Sequence, residues 1–302
     1  MVNQTSKLFS FDRFSGMNNV DPSFRLPASR DNNWRLSSDM ATIENLDIDN
    51  AMVLSTRLGS TLKISGSNIH SMWSDGDLDC LLVEHSILKR LTPQYSLITI
   101  SEVGTNRMSY CKWNSRVYLT NEKIIGYVTD NTLTAIPSPT KNYKLPLPAG
   151  KFIAYYRAHL YVAKGKVLYI SDALCDHYDI RTGFKIFSED ITMIQPVENG
   201  IYVGAGGIYF LKGDEPDAMN KDKVFDADAI PYTNRSLTGE VVGDGVQGQC
   251  ALWTSSDGVC FGDGGGNVKN LTRARYSMSD YGIGGSVVRN INGTVHYITV
   301  LE

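Results

Sequence analysis

Short apolar runs of three to six residues, cut by Gly, Asn, Asp and Ser, dominate the chain, and long helical periodicity is almost absent. This is the pattern of many short antiparallel strands joined by tight turns. The runs also repeat. Met108-Ser-Tyr-Cys-Lys-Trp113 is followed by a turn at Asn114-Ser115, by Arg116-Val-Tyr-Leu119, and then by Ile124-Ile-Gly-Tyr-Val128. Phe152–Tyr156, His159–Val162 and Val167–Ile170 fit the same frame, as do Ile191–Ile194, Ile201–Val203 and Ile208–Leu211. Gln249–Trp253, Val259–Phe261 and Val268–Leu271 follow, and Ile69–Trp73, Cys80–Val83 and Ile87–Leu91 come earlier. Leu82, Tyr118, Tyr161 and Tyr202 take equivalent places, roughly 36 to 43 residues apart.

A small sheet of three or four strands recurring at that interval is the sequence signature of a β-propeller blade. One such sheet cannot bury both faces alone, and stacking around an axis buries them against neighbours. Five complete units begin near residues 67, 107, 151, 191 and 240. A sixth is split between the two ends: Ser286–Arg289 and Val295–Val300 on one side, Glu44–Ile48, Met52–Thr56 and Leu62–Ile64 on the other. The expectation is an all-β, six-bladed propeller over 41–302, closed by pairing residues near 286–300 with residues near 43–56, which removes exposed edges. Residues 1–40 form an extended arm outside the repeat. The segment 140–150 reads as a Pro-stiffened linker. Lys212–Asp228, with six acids and three lysines, reads as a solvated loop.

Composition narrows the function classes. The 302 residues are 42% hydrophobic and 10% aromatic, enough for a sizeable core. Lys+Arg 29 against Asp+Glu 32 gives a net charge of -3, without the basic surplus of a dedicated nucleic-acid binder or of a protein docked on anionic lipid. No run approaches the ~18 apolar residues of a membrane span, and none near the start reads as a signal segment. Five scattered cysteines form no Cys-x2-Cys pair, so they read as reduced thiols of a chain made in a reducing cytoplasm.

Candidate chemistry is sparse. Asp75-Gly-Asp-Leu-Asp79 starts like a calcium loop, but Cys80 and Ser86 stand where that loop needs Gly and Glu. Gly262-Asp-Gly-Gly-Gly-Asn267 lacks the Lys-Ser/Thr of a phosphate loop and reads as a hairpin turn. Arg116, Arg157 and Arg289 sit in or beside first turns and read as solvated, although three arginines could hold a sugar carboxylate. His70, His85, His159, His177 and His296 have no metal-ligand spacing, and no Gly-x-Ser-x-Gly elbow exists. The expectation is therefore no catalytic residue, no cofactor and no metal.

Phe14-Ser-Gly-Met-Asn-Asn-Val-Asp21, Arg25-Leu-Pro27, Asn45-Leu-Asp-Ile-Asp49 and Arg57-Leu-Gly59 resemble the opening pattern of tailed-bacteriophage structural proteins, with Leu58 in place of the usual Pro. Ala251-Leu-Trp-Thr254, Gly266–Thr272 and Asn292–Ile298 are similar to their closing blades. The resemblance implies a virion component: a propeller-bearing tail nozzle or hub, or a head–tail connection. Several copies would form a ring between adaptor or portal and the fibres or tip. DNA would pass through it without sequence-specific binding. Two alternatives stay open: a tail-tip or baseplate protein contacting host glycan, and a propeller hydrolase or lyase. Phe9, Phe11, Phe14, Phe24 and Trp34 of the arm are the expected interface, since such a cluster is costly unless covered.

Overall fold

A computed structural model describes residues 14–18, 38–40, 46–48, 54–56, 59, 61–75, 80–213, 215–241, 245–272, 275, 278, 281–291 and 294–302. The described part is all-β, with two single-turn 3-10 segments, Pro216–Ala218 and Gly239–Val241. Strands β1 (Phe14–Met17), β2 (Ser38–Met40), β3 (Leu46–Ile48) and β4 (Leu54–Thr56) precede the repeats. The first unit holds β5 (Ile69–Ser74), β6 (Cys80–Glu84), β7 (Ile87–Leu91) and β8 (Leu97–Glu102). The second holds β9 (Ser109–Trp113), β10 (Arg116–Thr120), β11 (Ile125–Thr129) and β12 (Thr132–Ala135). Then come β13 (Lys144–Pro146), β14 (Phe152–Tyr156), β15 (His159–Lys164), β16 (Val167–Ile170), β17 (His177–Asp179) and β18 (Phe184–Ile186). The fourth unit holds β19 (Met193–Val197), β20 (Gly200–Gly204), β21 (Ile208–Lys212) and β22 (Asn220–Phe225). The fifth holds β23 (Arg235–Thr238), β24 (Gln249–Ser255), β25 (Gly258–Gly262) and β26 (Val268–Asn270), and β27 (Gly284–Ile291) and β28 (Thr294–Leu301) close the chain.

Five four-stranded antiparallel sheets result: β5–β8, β9–β12, β14-β15-β16-β18, β19–β22 and β23–β26. Each is an up-and-down meander, the layout of a propeller blade. Successive first strands pack on one another, β9 on β14 and β14 on β19. Side chains brace these junctions. The Met108 N–H donates to Ser71 Oγ at 2.8 Å, and the Ile153 N–H donates to Ser109 Oγ at 3.1 Å. Between sheets two and three, the Gly150 N–H reaches Thr120 Oγ1 at 2.9 Å.

The second strand is the buried axis of each unit. Tyr118, Tyr161 and Tyr202 are fully buried, and each points towards the next sheet. Tyr118 packs with Leu160 and Val162, Tyr161 with Ile201 and Val203, and Tyr202 with Ala251 and Trp253. Aromatic contacts bind the same interfaces: Trp73 stacks on Tyr110 at 5.8 Å, Trp113 on Tyr155 at 5.7 Å, and Tyr202 meets Trp253 at 5.4 Å. Burying each such ring contributes about 1.5–3 kcal/mol.

Several sequence expectations need correction. In the first unit Leu81 and Val83, not Leu82, pack against Val117 and Leu119, so Leu82 does not take the place of Tyr118; the bulge between His70 and Trp73 lies in the neighbouring strand β5. The fifth unit starts one strand early. β23 pairs with β24, from Thr238 opposite Gln249 to Arg235 opposite Leu252, so Gln249–Ser255 is a second strand. Arg235-Ser-Leu-Thr238 has one apolar residue, too few to be read as a strand. Lys212–Asp228 contains β22, an outer edge strand whose charges face water; solvation was legible there, but not the pairing. The linker 140–150 contains β13, which pairs with β17. No strand forms at Leu62–Ile64. Among the described residues β27 pairs with β28 and β3 with β4, and no ladder joins the two hairpins.

Candidate functional site

The sequence-selected positions do not converge. Phe9, Phe11, Phe24 and Trp34 lie outside the described residues, as do residues 76–79 of the calcium-like loop. Phe14 opens β1, which runs parallel to β2, and the Asn18 N–H beyond it donates to the Met40 carbonyl at 2.9 Å. Arg116 and Arg157 are exposed at the first turns of sheets two and three, whereas Arg289 is half-buried within β27, opposite His296. The Arg157 Nη2 donates to the Glu198 carbonyl at 3.4 Å. His159 is a core residue bound to the Ser171 carbonyl at 2.6 Å, and His177 faces Asp172 at 3.3 Å. Among the described residues no three His, Cys, Asp or Glu side chains converge to hold a metal. The cysteine thiols are unpaired, and burial pushes Cys260 up to about 11.

The glycine run is a hairpin turn, and its glycines have a packing reason. A Cβ on Gly262 would lie 2.6 Å from the Tyr202 ring, and one on Gly266 2.6 Å from Phe210. Gly266 also needs φ +99°, which glycine alone adopts easily. The Asp263 carboxylate accepts the N–H groups of Gly265 at 2.8 Å and Asn267 at 2.9 Å. Burial opposes its charge, yet the side-chain and backbone donors of Asn267, with Gly265 and Gly266, outweigh it and hold the pKa low.

A Ser–His pair that belongs to no sequence motif sits on β5. Ser71 Oγ lies 2.8 Å from His70 Nδ1, and His70 Nε2 is 3.2 Å from the His85 carbonyl. The hydroxyl already accepts the Met108 N–H across the sheet junction, so it works as a brace between blades.

Among the described residues an open groove of about 710 Å³ lies beside sheet two. The β9–β10 turn supplies Trp113, Asn114, Ser115 and Arg116; β11 supplies Tyr127 and Thr129, and β12 supplies Thr134. Strand alternation puts these on one face: Arg116 pairs with Trp113, and Tyr127 with Thr134. Asn114 takes φ +54°, a conformation asparagine tolerates, which makes the tight turn. The Arg116 guanidinium lies 4.3 Å over the Tyr127 ring. The neighbouring Tyr118 hydroxyl first, then Tyr127 and Asp176, raise its pKa further. Leu174, 67% exposed, forms the opposite wall. Its loop is held by the Leu174 N–H to the Ala158 carbonyl at 2.8 Å. Nearby, Lys144 bridges Asp172 at 2.7 Å and Asp179 at 3.1 Å, and Arg181 grips Asp179 at 2.7 Å. Arg181 and then Lys144 hold the Asp179 carboxyl well below the usual range. The groove's residues are read in the sequence only as a turn; its signal there is the Trp-Asn-Ser-Arg tetrad.

No protein-family profile and no curated protein matches the chain. Among solved structures, it is similar to the extracellular domain of BT4673 from B. thetaiotaomicron, described as a one-component system (TM-score 0.50, 14% identity, 76% of this chain, 31% of that one). PorZ, a bacterial surface component of the type-IX secretion system of Porphyromonas gingivalis, gives 0.48 at 11% identity over 74% of this chain and 29% of its own. The WD40 β-propeller domain of Doa1 gives 0.42 at 12% identity over 74% and 79%. The chain thus spans about three tenths of the first two proteins. At these identities the likeness concerns fold alone; the β-propeller layout is carried by the five four-stranded antiparallel sheets in series.

Proposed function

We propose that this chain is a non-catalytic structural component of a bacteriophage tail, a nozzle, hub or head–tail connection lining the path of DNA ejection. The observation that carries the reading is the segment with the phage-like opening pattern. Its Phe14–Met17 forms a parallel pair with Ser38–Met40 outside every blade, and Asn18 of the same motif is buried. The arm is thus built as an element of its own, as an interlocking ring subunit requires. The blades are filled by their own side chains, which suits a rigid spacer. A net charge of -3 disfavours gripping phosphate in transit.

In this reading the propeller has six blades, the last shared between β27–β28 and β3–β4. Arg107, just ahead of β9, supports that closure. It donates to the Gly284 carbonyl at 2.5 Å and to Glu302 at 3.2 Å, tying both ends of the last hairpin to the start of sheet two. The partners are adaptor or portal proteins above, fibres or a tip below, and further copies of this chain, with the arm docking through its aromatics. A nonsense mutation in the encoding phage tests this. Grown without a suppressor, it should yield DNA-filled, non-infectious heads with tails missing or truncated. Infectious particles with intact tails would refute the role.

A further inference from the structure

We propose that the groove beside sheet two binds an acidic oligosaccharide. This goes beyond the scaffold role and does not depend on it. The groove is open, and its volume of about 710 Å³ lies within the ~300–1,000 Å³ of ordinary ligand sites. It presents one cation: among the described residues Arg116 has no carboxylate within ion-pair distance, in contrast with Lys144 and Arg181 next door. The guanidinium is not loose. Its position over Tyr127 at 4.3 Å fixes the plane of its donors, the arrangement that takes a carboxylate bidentately. Around it stand short uncharged hydrogen-bonding groups, Asn114, Ser115, Thr129 and Thr134, which match sugar hydroxyls. Leu174 supplies an apolar surface for ring C–H groups, and it stays 67% exposed because backbone bonding and the neighbouring ion network anchor its loop. A nucleic acid would ask for several cations, and the groove offers one. A single carboxylate among many hydroxyls is the chemistry of a uronate or a sialate.

The test is calorimetric titration of the full chain with tetragalacturonate and with α2,8-linked tetrasialate, against neutral maltotetraose. At least one acidic probe should bind, and the neutral sugar should bind at least about tenfold more weakly, the loss expected for one charged hydrogen-bonding partner. Arg116→Ala should weaken the acidic probe by a similar factor, and Arg116→Lys by less. Leu174→Glu, at an exposed site, should repel the acid but spare the fold. Arg157→Ala, the turn arginine of the next sheet, should leave binding unchanged. Binding of neither acid, equal binding of acid and neutral sugar, or indifference to Arg116→Ala with an unchanged melting curve would each overturn the site.

Discussion

Tyr202 shows how one residue fixes the chemistry of a segment far along the chain. Its hydroxyl donates to the Asp263 carbonyl at 2.8 Å and lies 3.1 Å from that of Asn267, 61 and 65 residues away. For the turn to come that close, positions 262 and 266 must lack a Cβ. The sequence shows Gly262–Asn267 to be a turn, because nothing in it can grip phosphate. It cannot show why the turn needs so many glycines, since the rings they clear belong to another blade. Removing the hydroxyl in Tyr202→Phe should cost about 1 kcal/mol in urea unfolding. Gly262→Ala should cost more, about 1–3 kcal/mol, because a methyl 2.6 Å from a buried ring forces the core apart. Wild-type stability in Gly262→Ala would mean that the blades are not packed this closely.

At the level of the element, the strands that were legible are the ones with two buried faces. Val117-Tyr-Leu119, Leu160-Tyr-Val162 and Ile201-Tyr-Val203 announce themselves by continuous apolar character. The strands missed, β13, β22 and β23, lie at sheet margins or carry mostly polar side chains, where only the hydrogen-bonded partner makes a strand. The register of Leu82 is not legible either: in the continuous run Cys80–Val83 every side chain is apolar, so composition does not say which of them face the second unit, and Leu81 and Val83 do. The buried tyrosines of these elements also set the alkaline limit of the fold. Burial pushes Tyr110, Tyr161 and Tyr202 far above their ordinary value near 10 and, with Glu122 adding to it, Tyr232 to about 12. The folded chain therefore keeps protons that the unfolded chain releases. Their contribution is intact below pH ~10 and falls above it, by about 1.4 kcal/mol per pH unit for each such group. Phenolate absorbance at alkaline pH should rise late and together with loss of tertiary circular dichroism. Titration of all tyrosines near their ordinary value in a still-folded protein would contradict the burial.

At the scale of the whole molecule the last hairpin matters most. Five sheets in series leave two exposed flanks, and the last hairpin is the element placed to cover one of them. Tyr297 of β28 donates to the Thr233 carbonyl at 2.6 Å, as does Ser286 of β27, so this hairpin is docked on the fifth sheet. Deleting Val295–Glu302 should abolish cooperative unfolding, because that hairpin and its Arg107 anchor go together. An unchanged melting transition would show that the fold does not rely on it. The free chain should be monomeric by native mass spectrometry, with rings forming only on the neighbouring tail protein. The proposed tail role is tested most directly by cryo-electron microscopy of virus-like particles purified from the source that encodes this chain. That role predicts a ring of six-bladed propellers in a tail, around the DNA path, with the 1–40 arm of each copy seated on a neighbour. Particles whose tail density holds no such propeller, or that lack this chain altogether, would contradict it.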